Sequence, residues 1–195
     1  TFRHLAAMSD EDLQKLQSFG HDHSVQMFLQ PERVDSTHKI FPRDNYDLLH
    51  YRLPDYDLVF QFSPQDFTQV NLPVNRLMVA RAIELLDIDP SDEVFEAFCG
   101  IGNCSLAISR FAKKVTGAEQ SASSIARSRE NARLNGVENV SFVVEDWQLE
   151  TPEINGLEGV NKILLDPPRS GAEGMVKRLA SSNVVRVVYV SCNPE

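Results

Sequence analysis

A chain of 195 residues with 42% hydrophobic content can bury one good core and append a smaller lobe. Its net charge of -9 and pI near 5.0 argue against this chain alone clamping a long phosphate backbone, because Lys and Arg supply most nucleic-acid affinity. No run approaches the roughly 18 apolar residues of a membrane helix, and the N-terminus lacks the basic-then-apolar layout of a signal peptide.

Residues 1–62 read as a small α+β lobe. Ser9 is a helix N-cap with Asp10, Glu11 and Asp12 in the first turn, and Leu13, Leu16 and Phe19 form an apolar stripe before Gly20 stops the helix. Strands are expected at 25–29, 46–53 and 58–62, with Pro54 and Asp55 turning the chain between the last two. His21 and His23 lie beside Gly20 in an expected surface turn with no ligand pattern repeated elsewhere, so no metal site is expected.

From Ser63 the chain changes character and a second domain, 63–195, begins. The stretch SPQDFTQVNLPVNRLMVARAIELLDI is a polar loop followed by an amphipathic helix at about 74–86, with Leu77, Ala80, Ile83 and Leu85 on its packing face. Phe67, Gln69 and Asn71 alternate in an extended segment that either connects two lobes or crosses the mouth of a pocket.

A regular alternation follows. The strand at 94–98 runs into a turn carrying Gly100 and Gly102, then a helix at 105–110. Further strands are expected at 115–118, 140–144, 162–165 and 184–190, and helices at 121–135 and 173–179. This βαβ rhythm predicts a parallel sheet with right-handed crossovers. The carboxyl ends of its strands should share one edge, where open α/β sheets bind ligands. That edge would carry the glycine turn, Glu119, Asp146, Asp166 and Cys192. An acid about 20 residues past the first glycine suits a ribose hydroxyl. Alternatively, Glu119 and Asp146 cap the following helices. Ser105 stands where dinucleotide-binding turns place a third glycine, which leaves the kind of nucleotide open.

Two further motifs stand out. The prolines of DPPR at 166–169 hold Asp166 and Arg169 out at a strand end. In VSCNP at 190–194, Cys192 follows an apolar strand and precedes the turn formers Asn193 and Pro194. An unpaired cysteine is either a small buried hydrophobe or a soft nucleophile. Three cysteines, Cys99, Cys104 and Cys192, do not make a disulfide framework, and they fit a reducing, cytoplasmic setting.

Taken in order, FSPQDFTQVN, FCGIGN, ENARLNGVENVSF, LLDPPRSGA and VVYVSCNPE closely resemble the S-adenosylmethionine-dependent RNA 5-methyluridine methyltransferases, most strongly the bacterial branch acting on 23S ribosomal RNA. The resemblance covers essentially the whole chain. It implies a class I methyltransferase fold: a Rossmann-like α/β parallel sheet, here ending after its fifth strand and preceded by the small α+β lobe. It implies that Gln69, Phe98, Gly100, Gly102, Asn103, Glu119, Asp146 and Asp166 bind S-adenosylmethionine and its product S-adenosylhomocysteine, with Glu119 at the ribose and Asp146 near adenine. Cys192 matches the nucleophile, and Arg169 and Asn193 would hold the substrate base. The implied reaction is methylation of uridine C5 through a covalent adduct between the cysteine and uracil C6. The partner would be RNA with the target base unstacked from a single strand or loop.

The departures shape the expectation as much as the match. In related enzymes the chain continues past SCNP, and a later Glu supplies the base that removes the C5 proton. The family's RNA-binding β-barrel and the four cysteines of an iron–sulfur cluster lie outside this chain, so no cluster is expected in it. We therefore expect an inactive, monomeric fragment with the strand at 184–190 left as an open edge. A cofactor-binding module without turnover and a tRNA uridine-5 methyltransferase are the alternatives. Glu96 stands where the family usually has Asp, and Cys104 where a Phe usually follows the Asn.

Overall fold

The structure, a computed structural model, describes residues 1–43, 48–146, 157–179 and 183–191. It falls into two units: 1–50 with 61–67, and 51–60 with 68–195.

In the first unit, β1 (Phe2–Arg3) lies parallel to β2 (Met27–Gln30), which pairs antiparallel with β3 (His38–Phe41). Helix α1 (Asp10–Asp22) starts at a full capping box: the Ser9 hydroxyl accepts from the Asp12 N–H, and the Asp12 carboxylate accepts from the Ser9 N–H. Gly20 was expected to end this helix, but it lies inside it. A Cβ there would sit 2.7 Å from Phe41 Cδ1 and 2.8 Å from Met27 Cγ, so the glycine lets α1 approach β2 and β3 closely rather than breaking the helix. His21 ends in the last turn and His23 caps it.

Strands β4 (Leu49–Leu53) and β5 (Leu58–Phe62) form a two-stranded sheet; the expected start of β4 at 46 lies outside the described residues. The expected domain border at 62 does not follow the packing here, because 51–60 groups with the second unit. The reason is local. Leu53, Leu58 and Phe60 are fully buried, and Asn135 grips the Val59 backbone on both sides, accepting from its N–H at 2.8 Å and donating to its carbonyl at 2.7 Å. Arg76 forks onto the Asp55 carboxylate at 2.9 Å twice, and Arg110 donates to the carbonyls of Tyr56 and Asp57.

The second unit is built on a five-stranded parallel sheet. Its strands are β6 (Glu93–Ala97), β7 (Lys114–Glu119), β8 (Val140–Val144), β9 (Lys162–Leu165) and β10 (Arg186–Tyr189), in the order β10-β9-β6-β7-β8. The chain winds outward from β6 in one direction, then crosses back to β9 and winds the other way. The switch point therefore falls between β6 and β9, where doubly wound sheets open a crevice at their carboxyl edge. Helices α2 (Leu72–Leu86), α3 (Asn103–Ile108), α4 (Ala122–Leu134) and α5 (Glu173–Leu179) complete it.

Side chains alternate across the strands. Phe95 and Ala97 of β6 pack with Ile163, Leu165, Ala172, Met175 and Leu179, which puts Val94 and Glu96 on the opposite face. Helix α2 is capped by Asn71, whose side chain accepts from the Val74 N–H. Its buried positions are Asn75, Val79, Ala82 and Leu86, so the packing face is rotated from the expected one: Leu77 is 71% and Leu85 43% exposed. A polar residue had masked the true stripe. Strand β10 has β9 as its neighbour and ends the sheet, with Val187 47% and Tyr189 43% exposed. The apolar run at 184–190 is thus a half-exposed edge strand among the described residues.

A close contact in this unit brings α3 onto the sheet. A Cβ on Gly117 would meet Phe142 at 2.7 Å and Ser105 Oγ at 2.8 Å, so the helix rides directly on the β7 backbone. Gly117→Ala is expected to lower stability by about 1–3 kcal/mol, read from urea unfolding midpoints; an unchanged midpoint would show that the ring and hydroxyl give way at no cost.

Candidate functional site

After Ala97 the backbone leaves the sheet through an unusual path. Phe98 has φ 63°, Gly100 φ 54° and Gly102 φ 90°. Two glycines take left-handed backbone freely, but an aromatic residue does so only at a cost of about 1–2 kcal/mol. The neighbouring chain holds this turn. Cys99 N–H donates to Ala118 O at 3.1 Å and Gly102 N–H to Cys99 O at 2.9 Å. Asn131 of α4 donates to Ile101 O at 3.2 Å. Glu119, ending β7, accepts from Gly100 N–H at 3.3 Å through one oxygen and from Ser121 N–H at 3.0 Å through the other.

Most of the expected site residues that can be described gather along one edge. Phe98, Gly100, Gly102 and Asn103 follow β6; Glu119 ends β7; Asp146 follows β8; and Asp166 follows β9. Asp146 accepts from Gln120 Nε2 at 3.4 Å. Asp166 is half-buried, and burial raises its carboxyl pKa. Arg169 is exposed in the turn that closes with Gly171 N–H donating to Pro168 O at 2.8 Å. Gln69 is half-buried two residues before the Asn71 cap. Cys192 and Asn193 lie outside the described residues, one step past Ser191. At Gly100 an added Cβ would find nothing within 4 Å. The space beside the turn is open, and its backbone can be approached.

Asn103 behaves differently from a residue that offers its side chain to a ligand. Its Oδ1 accepts from Tyr51 Oη at 2.8 Å and from Asn75 Nδ2 at 3.0 Å, while its Nδ2 donates to Asn75 Oδ1 at 2.9 Å and approaches Cys104 Sγ at 3.9 Å. Both lone pairs and both protons are engaged. Tyr51, Asn75 and Asn131 were not anticipated. Asn75 did leave a signal, a polar residue at a buried helix position.

Glu96 lies beneath this turn, 2% exposed, and Ser105 Oγ donates to its carboxylate. Burial, reinforced by the charge of Asp166 and opposed by the Ser105 hydroxyl, pushes its pKa from 4.5 up to about 8. Burial also pushes the thiols of Cys99 and Cys104 well up, so neither is a ready nucleophile. Among the described residues no group of three or more His, Cys, Asp or Glu could hold a metal, and no helix is long and apolar enough to cross a membrane.

The sheet order and the glycine turn define an α/β fold of the class I methyltransferase type. A solved tRNA (uracil-54, C5)-methyltransferase of Pyrococcus abyssi, in complex with S-adenosyl-L-homocysteine, superposes with a TM-score of 0.70 over 87% of this chain and 42% of that one, at 24% identity. A tRNA m1G37 methyltransferase of M. jannaschii superposes at 0.63 over 91% of this chain and 52% of its own, at 16% identity. The chain belongs to the tRNA (Uracil-5-)-methyltransferase family, whose model matches residues 3–195. It is 43% identical, over 98% of its length, to the 23S rRNA (uracil(1939)-C(5))-methyltransferase RlmD of Hahella chejuensis. It is 40% identical, over 99% of its length, to the protein of that name from Legionella pneumophila strain Corby. The chain spans 44% of the length of each of these relatives.

Glu96 gives the site a pH signature. Because its folded pKa is raised, its favourable contribution is complete below about pH 4.5 and is lost as pH climbs through about 8. Urea midpoints should therefore fall from pH 5 to pH 9 in the wild type and fall less in Glu96→Gln. Parallel profiles would mean that the carboxyl is ionised at no cost.

Proposed function

We propose that this chain carries the S-adenosylmethionine-binding core of an RNA methyltransferase that acts on uridine C5 in 23S ribosomal RNA. The observation that carries this reading is the bond between the Glu119 carboxylate and the Gly100 N–H, beside open space at the carboxyl edge of the sheet. An acid fixed there can accept both ribose hydroxyls while the turn's backbone faces the rest of the cofactor. Asp146, one strand further out, suits the adenine end, and Gln69, Phe98 and Asp166 would close around the remainder. The relatives' names favour the ribosomal branch over the tRNA branch.

S-adenosylmethionine, when bound, supplies a methyl group on a positively charged sulfur. Uracil C5 is too weak a nucleophile to take it unaided. The Cys192 thiolate would add to C6 and move an electron pair to C5; C5 would then bond to the methyl carbon as the sulfonium–methyl bond breaks, and a general base would take the C5 proton, so that the thiolate leaves C6 and the ring double bond returns. Arg169, just after the Pro167–Pro168 pair, and Asn193, next to Cys192 in the chain, would hold the base and its developing charge. The base must be unstacked to reach the edge, so looped or single-stranded RNA is the partner.

Calorimetric titration with S-adenosylhomocysteine tests the cofactor half of this reading. The chain should bind one equivalent, Glu119→Gln should bind about tenfold more weakly, and NAD should give no heat. Binding of NAD in preference to S-adenosylhomocysteine would overturn it. For the chemical half, 5-fluorouridine RNA should form a covalent adduct with the full-length protein but not with its Cys192→Ser variant. No adduct with the wild type would exclude this role for Cys192.

A further inference from the structure

Tyr51 and Asn75 sit outside the glycine turn, yet they meet at its far end. Tyr51 belongs to the β4–β5 segment that groups with the second unit, and its ring stacks on Phe60 with centroids 4.9 Å apart and planes 6° from parallel. Asn75 is 2% exposed on α2. Both converge on the Asn103 side chain, Tyr51 from one side and Asn75 through a reciprocal pair of amide bonds. Asn103 is the first residue of α3 and follows Gly102 at φ 90°.

We propose that Tyr51 and Asn75 are positioning residues for cofactor binding: they lock the Asn103 amide and thereby hold the end of the glycine turn in its ligand-ready form. Three observations carry this. The Asn103 amide has no donor or acceptor left for a ligand, so it acts through the backbone it fixes. The turn contains a left-handed Phe98, a conformation that persists only where its surroundings over-determine it. Helix α3 has just six residues, and its N-cap Gly102 offers no side-chain cap, so its first turn needs support from outside. The Asn75 amide is buried and its bonds to the half-buried Asn103 are partly shielded from water, so loss of one partner leaves the other poorly satisfied.

This inference rests on the S-adenosylmethionine reading above, and the experiment separates the two. Tyr51→Phe removes one hydroxyl and leaves the Phe60 stack; Asn75→Ala removes the amide pair. S-adenosylhomocysteine affinity, thermal melting and amide hydrogen exchange at 103–106 are measured for the wild type, each variant and the double variant. A control, Leu179→Ala, lowers stability from the opposite face of the sheet. We expect Tyr51→Phe to bind about tenfold more weakly with faster exchange at 103–106, and the double variant to bind no more weakly than Asn75→Ala alone. Leu179→Ala should keep wild-type affinity at a lower melting temperature. Wild-type affinity in both Tyr51→Phe and Asn75→Ala would overturn the proposal, as would equal weakening by Leu179→Ala. Absence of binding by the wild-type chain would instead overturn the cofactor reading itself.

Discussion

The left-handed backbone at Phe98 is the constraint on which the site depends. A chain leaving a parallel strand would ordinarily continue extended or enter a right-handed helix, and an aromatic side chain resists φ 63°. The turn keeps that shape because each stretch of it is held: Cys99 by β7, Gly100 by Glu119, Ile101 by Asn131, and the residue after Gly102 by Asn75 and Tyr51. Strain fixed in this way sets the backbone in one shape before a ligand arrives, which lowers the ordering cost of binding.

The same turn explains the packing beneath it. For α3 to begin where the turn ends, its first residues must lie almost on the sheet. Gly117 opens that space on β7, and Ser105 fills it while donating to Glu96. A buried carboxyl is costly in its ionised form, and the raised pKa of Glu96 is how the fold accommodates one. Ser105 had looked like a missing third glycine. In fact the small residue needed for close helix packing is on the neighbouring strand, a register relation that a linear motif cannot display.

Much of the fold was legible because it is written in local patterns. Strand-ending acids, the glycine turn and the Ser9 cap involve residues close in sequence. The parallel sheet followed from alternation alone, and family membership followed from five motifs in order. What stayed hidden was set by tertiary contact. Asn75 turned α2 by replacing an apolar residue on its buried face, Gly20 served close packing rather than helix termination, and 51–60 joined the larger unit through Asn135, Arg76 and Arg110. Asn103 was legible as the residue that follows the glycine turn but not as one whose side chain faces its own protein.

The claim that the carboxyl edge of β6 and β7 is an S-adenosylmethionine site is tested most directly by a crystal structure of the chain with S-adenosylhomocysteine. The ribose hydroxyls should lie within hydrogen-bonding distance of the Glu119 carboxylate, with the amino-acid portion along 98–103 and the Asn103 side chain still bonded to Tyr51 and Asn75. Ligand density elsewhere on the chain, with this edge empty, would contradict it.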